Sequence, residues 1–170
     1  DHNMGGFVQN IGLIFAAYVL GSLPFGLWVA KLWANINIRE YGSGNIGVSN
    51  VLRTIGPVPA IIVLVLDAGK GLIPVLLAKQ MLSNETMWFI VGIAAIIGHS
   101  LSLFANFKGG RGVATAGGVL LGLSWKIVLT LLIVWLVTLW ISRFISLSSI
   151  LAAVSLPISL VVFGFPPSYW

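Results

Sequence analysis

Two glycine-rich stretches carry the residues best suited to hold an anion. The first is Tyr41-Gly42-Ser43-Gly44-Asn45-Ile46-Gly47-Val48-Ser49-Asn50-Val51-Leu52-Arg53. Its glycines let the backbone turn sharply and bring N–H groups close to an anion. Ser43, Asn45 and Asn50 can donate hydrogen bonds, and the Arg53 guanidinium is a fork that matches phosphate oxygens. The second is Phe107-Lys108-Gly109-Gly110-Arg111-Gly112-Val113-Ala114-Thr115, a basic glycine loop that runs directly into a helical pattern. A helix start presents unpaired N–H groups and a partial positive charge, a natural seat for phosphate. The spacing is not that of the nucleotide P-loop, which needs Gly-Lys-Ser/Thr after four spacer residues. Each stretch also has a plainer reading: a flexible surface loop for the first, and a loop whose charges only set topology for the second.

Three further groups stand out. Asp67 and Lys70 interrupt an apolar run within Leu66-Asp67-Ala68-Gly69-Lys70-Gly71. Ionisable residues inside a membrane span are expensive and face a cavity or one another. Three residues apart, these two share a helix face, so an internal ion pair and a direct substrate contact both fit. His99 is isolated in sequence, twelve residues before Arg111, and reads either as a structural hydrogen-bonder or as a base. Ser146, Ser148 and Ser149 open the last apolar run, where serines serve as helix caps or as phosphate contacts.

The elements that must position these residues follow from composition. Of 170 residues, 58% are hydrophobic and only 8% charged. A soluble domain of this size carries roughly a quarter charged residues. So few charges cannot solvate a globule, and lipid is the natural solvent for the remainder. Apolar segments fall near 11–33, 57–82, 87–105, 112–124, 127–141 and 145–165, several with the about 20 residues needed to cross a bilayer. The expectation is an all-α polytopic bundle of about six spans, with 112–124 only half a span long. Asp1-His2-Asn3 precedes Met4 and reads as residue left from expression, leaving 4–170 as a single transmembrane domain.

If each segment crosses once, the loops 35–56 and 106–111 and the turn at Arg143 share one side with Arg39, Arg53, Lys108, Arg111 and Arg143. Lys79 and Lys126 fall on the other. The positive-inside rule makes the rich side cytoplasmic. If segment 112–124 is re-entrant, the parity of everything after it flips. The net charge of +5 fits cytoplasmic loops and anion binding. No basic run with interleaved aromatics points to nucleic acid. Cysteine is absent, which excludes disulfides and thiolate chemistry. Two His and four acidic residues, scattered along the chain, argue against a metal site. No cofactor is called for, and a monomer is compatible with everything read here.

Taken together, the motifs resemble the bacterial acyl-phosphate:glycerol-3-phosphate acyltransferase family. The matching pieces are Gly21-Ser22-Leu23-Pro24-Phe25-Gly26, Gly42-Ser43-Gly44-Asn45-Ile46-Gly47 with Asn50 and Arg53, Leu66-Asp67 with Lys70-Gly71, Gly98-His99, Phe107 to Thr115, and Ser146-Leu147 with Ser149. They keep order and spacing over nearly the whole chain. The resemblance implies a multi-span enzyme of the bacterial inner membrane that makes lysophosphatidic acid, with acyl phosphate as donor and glycerol 3-phosphate as acceptor. Ser43 and Arg53 match the family's essential pair, and the glycines at 109–112 match its glycerol 3-phosphate motif. Arg111 stands where a Lys is common, which keeps charge and changes donor geometry. The family's third motif, a C-terminal His/Asn/Arg/Glu stretch after another span, has no counterpart before Trp170. The expectation is that the natural protein continues past that residue.

A mechanism follows from the donor chemistry. An acyl phosphate is a mixed anhydride with a good leaving group, so the enzyme's task is to bring two anions together. Arg53 and Arg111 would clamp phosphates while backbone N–H groups of 42–45 and 109–112 seat the oxygens. Positioning and electrostatics would then supply most of the rate. The proton would go to a substrate phosphate or to His99. The alternative from another class is a transporter or channel for a phosphorylated solute, which uses helix-end anion sites too. It expects an internal repeat and a path open to both faces, and neither shows in the sequence.

Overall fold

The computed structural model describes residues 2–165, with side chains described for 6–144 and 147–165. Regular structure among the described residues is helical throughout: α1 His2–Gly21, α2 Phe25–Ala34, α3 Val48–Ile55, α4 Pro57–Met81, α5 Glu85–Ser100, α6 Val113–Leu123, α7 Trp125–Ser142 and α8 Ile145–Val162. Single 3-10 turns lie at Ile38–Glu40 and Leu103–Ala105. Four stretches, Gly6–Ala34, Pro57–Met81, Glu85–Ala105 and Trp125–Ser142, are long and apolar enough to cross a membrane. Val113–Leu123 and Leu147–Val162 are apolar and shorter. Large apolar side chains such as Leu32, Trp140 and Ile141 point outward, as lipid-facing residues do. The chain is a polytopic helical membrane protein, as its composition implies. It divides into two compact units, Asp1–Gly122 and Leu123–Trp170.

The first segment departs from the uninterrupted helix read over 11–33. It breaks at Leu23-Pro24 into α1 and α2. Proline has no N–H to donate and disfavours helical backbone in the residue before it. In an apolar medium the carbonyls freed by such a break must find partners. They do: the Ser22 carbonyl accepts from the Ser102 hydroxyl, and the Leu23 carbonyl accepts from Lys70 Nζ at 2.7 Å. The Ser22 hydroxyl turns back to the Tyr18 carbonyl at 2.8 Å, and the Tyr18 hydroxyl donates to Leu101 O at 2.8 Å. The break is thereby stitched to α4 and to the end of α5.

Helix α3 is the second departure, because 35–56 reads as loop in sequence. Gly47 is extended and starts the helix; one face buries Asn50 and Val51 while Leu52 and Arg53 stay exposed. Beneath it, Ile38, Ile46 and Val51 pack with Val29, Ala30, Ala60 and Val63. The loop therefore has a core of its own.

The half-length α6 lies close against α4. A Cβ on Gly118 would overlap the Ala68 carbonyl, and one on Gly71 the Thr115 carbonyl, so small residues set the approach. Its last turn is capped by Lys79, whose Nζ donates to Gly122 O at 2.9 Å. In the second unit α7 and α8 pack together across the left-handed turn at Arg143, with Trp135 Nε1 donating to Ser149 Oγ at 3.3 Å.

Candidate functional site

The first glycine loop is built around Asn50. Its amide nitrogen donates to the carbonyls of Ile38, Tyr41 and Asn45 at 3.2, 3.0 and 2.9 Å, and its oxygen accepts from the Ser43 N–H at 2.9 Å. Asn50 is buried, so these bonds use up its donors. The sequence suggested a side chain donating outward to an anion; the structure gives it the work of folding the loop. Asn45 Oδ1 likewise accepts from the Gly47 N–H at 2.8 Å. Gly42 and Gly44 take left-handed backbone, φ 57° and 70°. Gly44 closes a turn by donating to Tyr41 O at 2.9 Å.

The second loop is folded over His99. Gly109 and Gly110 donate their N–H groups to the carbonyls of Ser100 and His99, at 3.0 and 3.1 Å. A Cβ on Gly109 would overlap the His99 carbonyl, and one on Gly110 the His99 ring at Nε2. The two loops are joined by Arg39, which donates to Ala105 O at 2.9 Å and Lys108 O at 2.6 Å. Sequence reading used Arg39 for topology alone.

These arrangements correct one detail. The N–H groups of Ser43, Gly44, Gly109 and Gly110 are spent inside the loops. The backbone donors left without intrahelical acceptors belong to the first turns of α3 and α6, at Val48, Ser49, Val113 and Ala114.

Those residues line a cavity of about 440 Å³ in the first unit. It brings together Ser43, Asn45, Asn50 and Arg53 from the first motif, Arg111 and Gly112 from the second, and Asp67 and His99 between them. Gly47, Val48, Ser49, Val113 and Ala114, from the same two stretches, complete the wall with Leu64, which lies outside every motif quoted from the sequence. Gly42, Gly44, Lys70, Lys108, Gly109 and Gly110 lie outside the lining; Gly42 abuts Asn50, Lys70 pairs with Asp67, and Gly109 and Gly110 pack on His99. Ser146 opens α8, and its side chain lies outside the described residues.

The ion pair read from sequence is present, with Lys70 Nζ 2.8 Å from Asp67 Oδ1 and both side chains buried. Arg53 and Arg111 are exposed at the cavity, and neither meets a carboxylate among the described residues. Two unpaired guanidiniums and two helix starts make the cavity electropositive, suited to an anion with more than one phosphate-like group. No cluster of His, Cys, Asp and Glu among the described residues could hold a metal ion.

Comparison with known proteins points the same way. The family model described as Glycerol-3-phosphate acyltransferase matches residues 11–170. A Glycerol-3-phosphate acyltransferase of Desulforamulus reducens is 48% identical over 151 residues, covering 89% of this chain and 76% of the relative. One from Synechococcus sp. (strain JA-3-3Ab) is 44% identical over 153 residues, covering 89% and 74%. The crystal structure of PlsY (YgiH), an integral membrane glycerol 3-phosphate acyltransferase, in its glycerol 3-phosphate form superposes with a TM-score of 0.84 at 39% identity. It covers 95% of this chain and 80% of that one. The lysphosphatidic acid form gives a TM-score of 0.83 at 38% identity, with the same coverage. Sequence match, helix arrangement and the loops around an electropositive cavity agree, and the chain belongs to the glycerol-3-phosphate acyltransferase family.

Proposed function

We propose that the protein moves a fatty acyl chain from acyl phosphate to the 1-hydroxyl of glycerol 3-phosphate, giving lysophosphatidic acid for phospholipid synthesis. The observation that carries this reading is one cavity lined by two arginines, Arg53 on α3 and Arg111 in the second glycine loop, that meet no carboxylate among the described residues. Such a cavity suits two phosphate-bearing substrates held side by side. The similar protein PlsY has been solved in a glycerol 3-phosphate form and a lysphosphatidic acid form, an acceptor and a product of this reaction.

In the proposed reaction Arg53 and Arg111 hold the phosphates, Ser43 contacts a phosphate oxygen, and the first turns of α3 and α6 add N–H donors. The glycerol hydroxyl oxygen bonds to the acyl carbon while the carbon–oxygen bond to phosphate breaks. Phosphate departs with the electron pair, and the hydroxyl proton passes to a substrate phosphate or to His99. Its good leaving-group character makes positioning and charge neutralisation the enzyme's main contributions. The setting is the bacterial cytoplasmic membrane, with the cavity facing the cytoplasm, where the basic loops belong under the positive-inside rule.

Purified protein incubated with glycerol 3-phosphate should form lysophosphatidic acid with acyl phosphate as donor and not with acyl-CoA. Turnover with acyl-CoA alone would overturn the donor assignment. Absence of turnover with either donor would overturn the reaction.

A further inference from the structure

Arg39 stands between the two glycine stretches and outside the cavity lining. Its backbone belongs to the first. The Arg39 N–H donates to Asn37 Oδ1 at 3.3 Å, and a Cβ on Gly44 would stand 3.2 Å from the Arg39 carbonyl. The neighbouring Ile38 is fully buried, and its carbonyl accepts from Asn50 at 3.2 Å. The Arg39 side chain belongs to the second stretch. Nη2 donates to Ala105 O at 2.9 Å and to Lys108 O at 2.6 Å. Asn106 and Phe107 take left-handed backbone, φ 53° and 57°, and the turn they make sets those two carbonyls within reach of one nitrogen. Among the described residues no other hydrogen bond crosses between 35–56 and 101–112.

That tie has work to do when the cavity is filled. Two phosphate-bearing molecules held side by side repel one another, and the more so where water screens them less. Arg53 reaches the cavity from α3 and Arg111 from the second loop. Repulsion between the ligands therefore passes to the two stretches and drives them apart. Each stretch is folded by its own contacts, the first around Asn50 and the second against Ser100 and His99. Those bonds hold the shape of each and not the separation between them. The Arg39 bonds hold the separation, because they join one stretch to the other. A guanidinium donating to carbonyls makes charge-assisted bonds, about twice as strong as neutral ones. Arg39 meets no carboxylate among the described residues that would compete for it.

We propose that Arg39 is a positioning residue for the transfer: it fixes the distance between the stretch that carries Arg53 and the loop that carries Arg111, and so the distance between hydroxyl and acyl carbon. This rests on the acyl-transfer reading. Arg39 acts through the two loops and touches neither substrate. One nitrogen reaches both carbonyls, so a Lys ammonium, with three hydrogens, can take its place. Met, unbranched and without a donor, cannot.

Arg39→Met should lower kcat by between about tenfold and about a hundredfold, the scale of a misplacement of about 1 Å. KM for glycerol 3-phosphate should stay within about threefold, because each anion keeps its own seat. Arg39→Lys should recover most of the lost kcat. An unchanged kcat in Arg39→Met would overturn the proposal, as would a loss expressed only in KM or equal losses in the two variants. Failure of Arg39→Met to fold would overturn it too, since the arginine would then hold up the fold and not the spacing. The spacing is read without turnover from nitroxide labels on Leu52→Cys and Phe107→Cys, exposed positions outside the cavity lining in a chain without cysteine. The dipolar distance distribution should broaden when Arg39→Met is added, and an unchanged distribution would overturn the proposal. If it broadens while the protein with Arg39 in place transfers no acyl chain, the acyl-transfer reading fails and the tie between the loops stands.

Discussion

Replacing Asn50 with Ala removes the side chain around which the first glycine loop is folded. The amide nitrogen has two hydrogens for three carbonyls, so one is shared, and with the bond accepted from Ser43 the side chain makes the equivalent of three full hydrogen bonds. At a net value of about 1 kcal/mol each, their loss costs the ordered loop about 3 kcal/mol. If loop and helices were one rigid body this would appear as lowered global stability. The loop has a small core of its own around Ile38, Ile46 and Val51, so much of the cost falls locally. A competent loop populated a hundredfold less would lower apparent substrate affinity by the same factor, since about 1.4 kcal/mol corresponds to tenfold. The expected fall in kcat/KM therefore lies between about tenfold and about a hundredfold. Asn50→Asp should be at least as damaging, because it keeps the acceptor and turns a second oxygen toward the three carbonyls. Steady-state acyltransfer kinetics, with circular dichroism and melting in detergent as controls, measure this. A kcat/KM for Asn50→Ala within threefold of the unsubstituted protein would refute the view that Asn50 organises the site.

Gly109→Ala and Gly110→Ala should both impair acyltransfer. The first should be the worse, because its methyl meets the His99 backbone carbonyl, while at Gly110 it meets a ring that can tilt. Kinetics of the two variants side by side give the ranking. Lys79→Met leaves the Gly122 carbonyl without its ammonium donor inside the membrane, and should lower stability by about 1.5–3 kcal/mol, read as a reduced Tm. Ser49→Cys introduces a single thiol into a chain without cysteine, at an exposed position of the cavity wall. It should react with a membrane-impermeant maleimide in inverted vesicles and not in intact cells; the reverse pattern would place the cavity on the outer face.

What the sequence disclosed and what it hid divide along physical lines. The limits of α4, α6 and α7 follow apolar run length, and they fall within about two residues of the stretches read from sequence. The break at Leu23-Pro24 carried its signal in Pro24, but run length alone passed over it, because both halves are equally apolar. Helix α3 was hidden because it is eight residues long and begins at a glycine, so that its amphipathic pattern is brief. Arg53, Arg111, His99 and Asp67, singled out by residue type, all line one cavity. It could not reveal which donors point inward. Asn50, Gly109 and Gly110 all look like ligands in sequence, and all spend their hydrogens on the protein. That distinction depends on contacts across the chain, such as Gly109 with Ser100, which no local pattern encodes.

The central claim is that two arginines, Arg53 from α3 and Arg111 from the second glycine loop, act on phosphates in one cavity. Its most direct test is the kinetics of Arg53→Ala and Arg111→Ala, with Arg111→Lys alongside. A charge-assisted phosphate contact is worth about 1.5–3 kcal/mol, so each alanine variant should lose about tenfold or more in acyltransfer while remaining folded. Arg111→Lys, which keeps the charge, should be mild. Unchanged kinetics in Arg53→Ala would remove the first loop from the site and contradict the account.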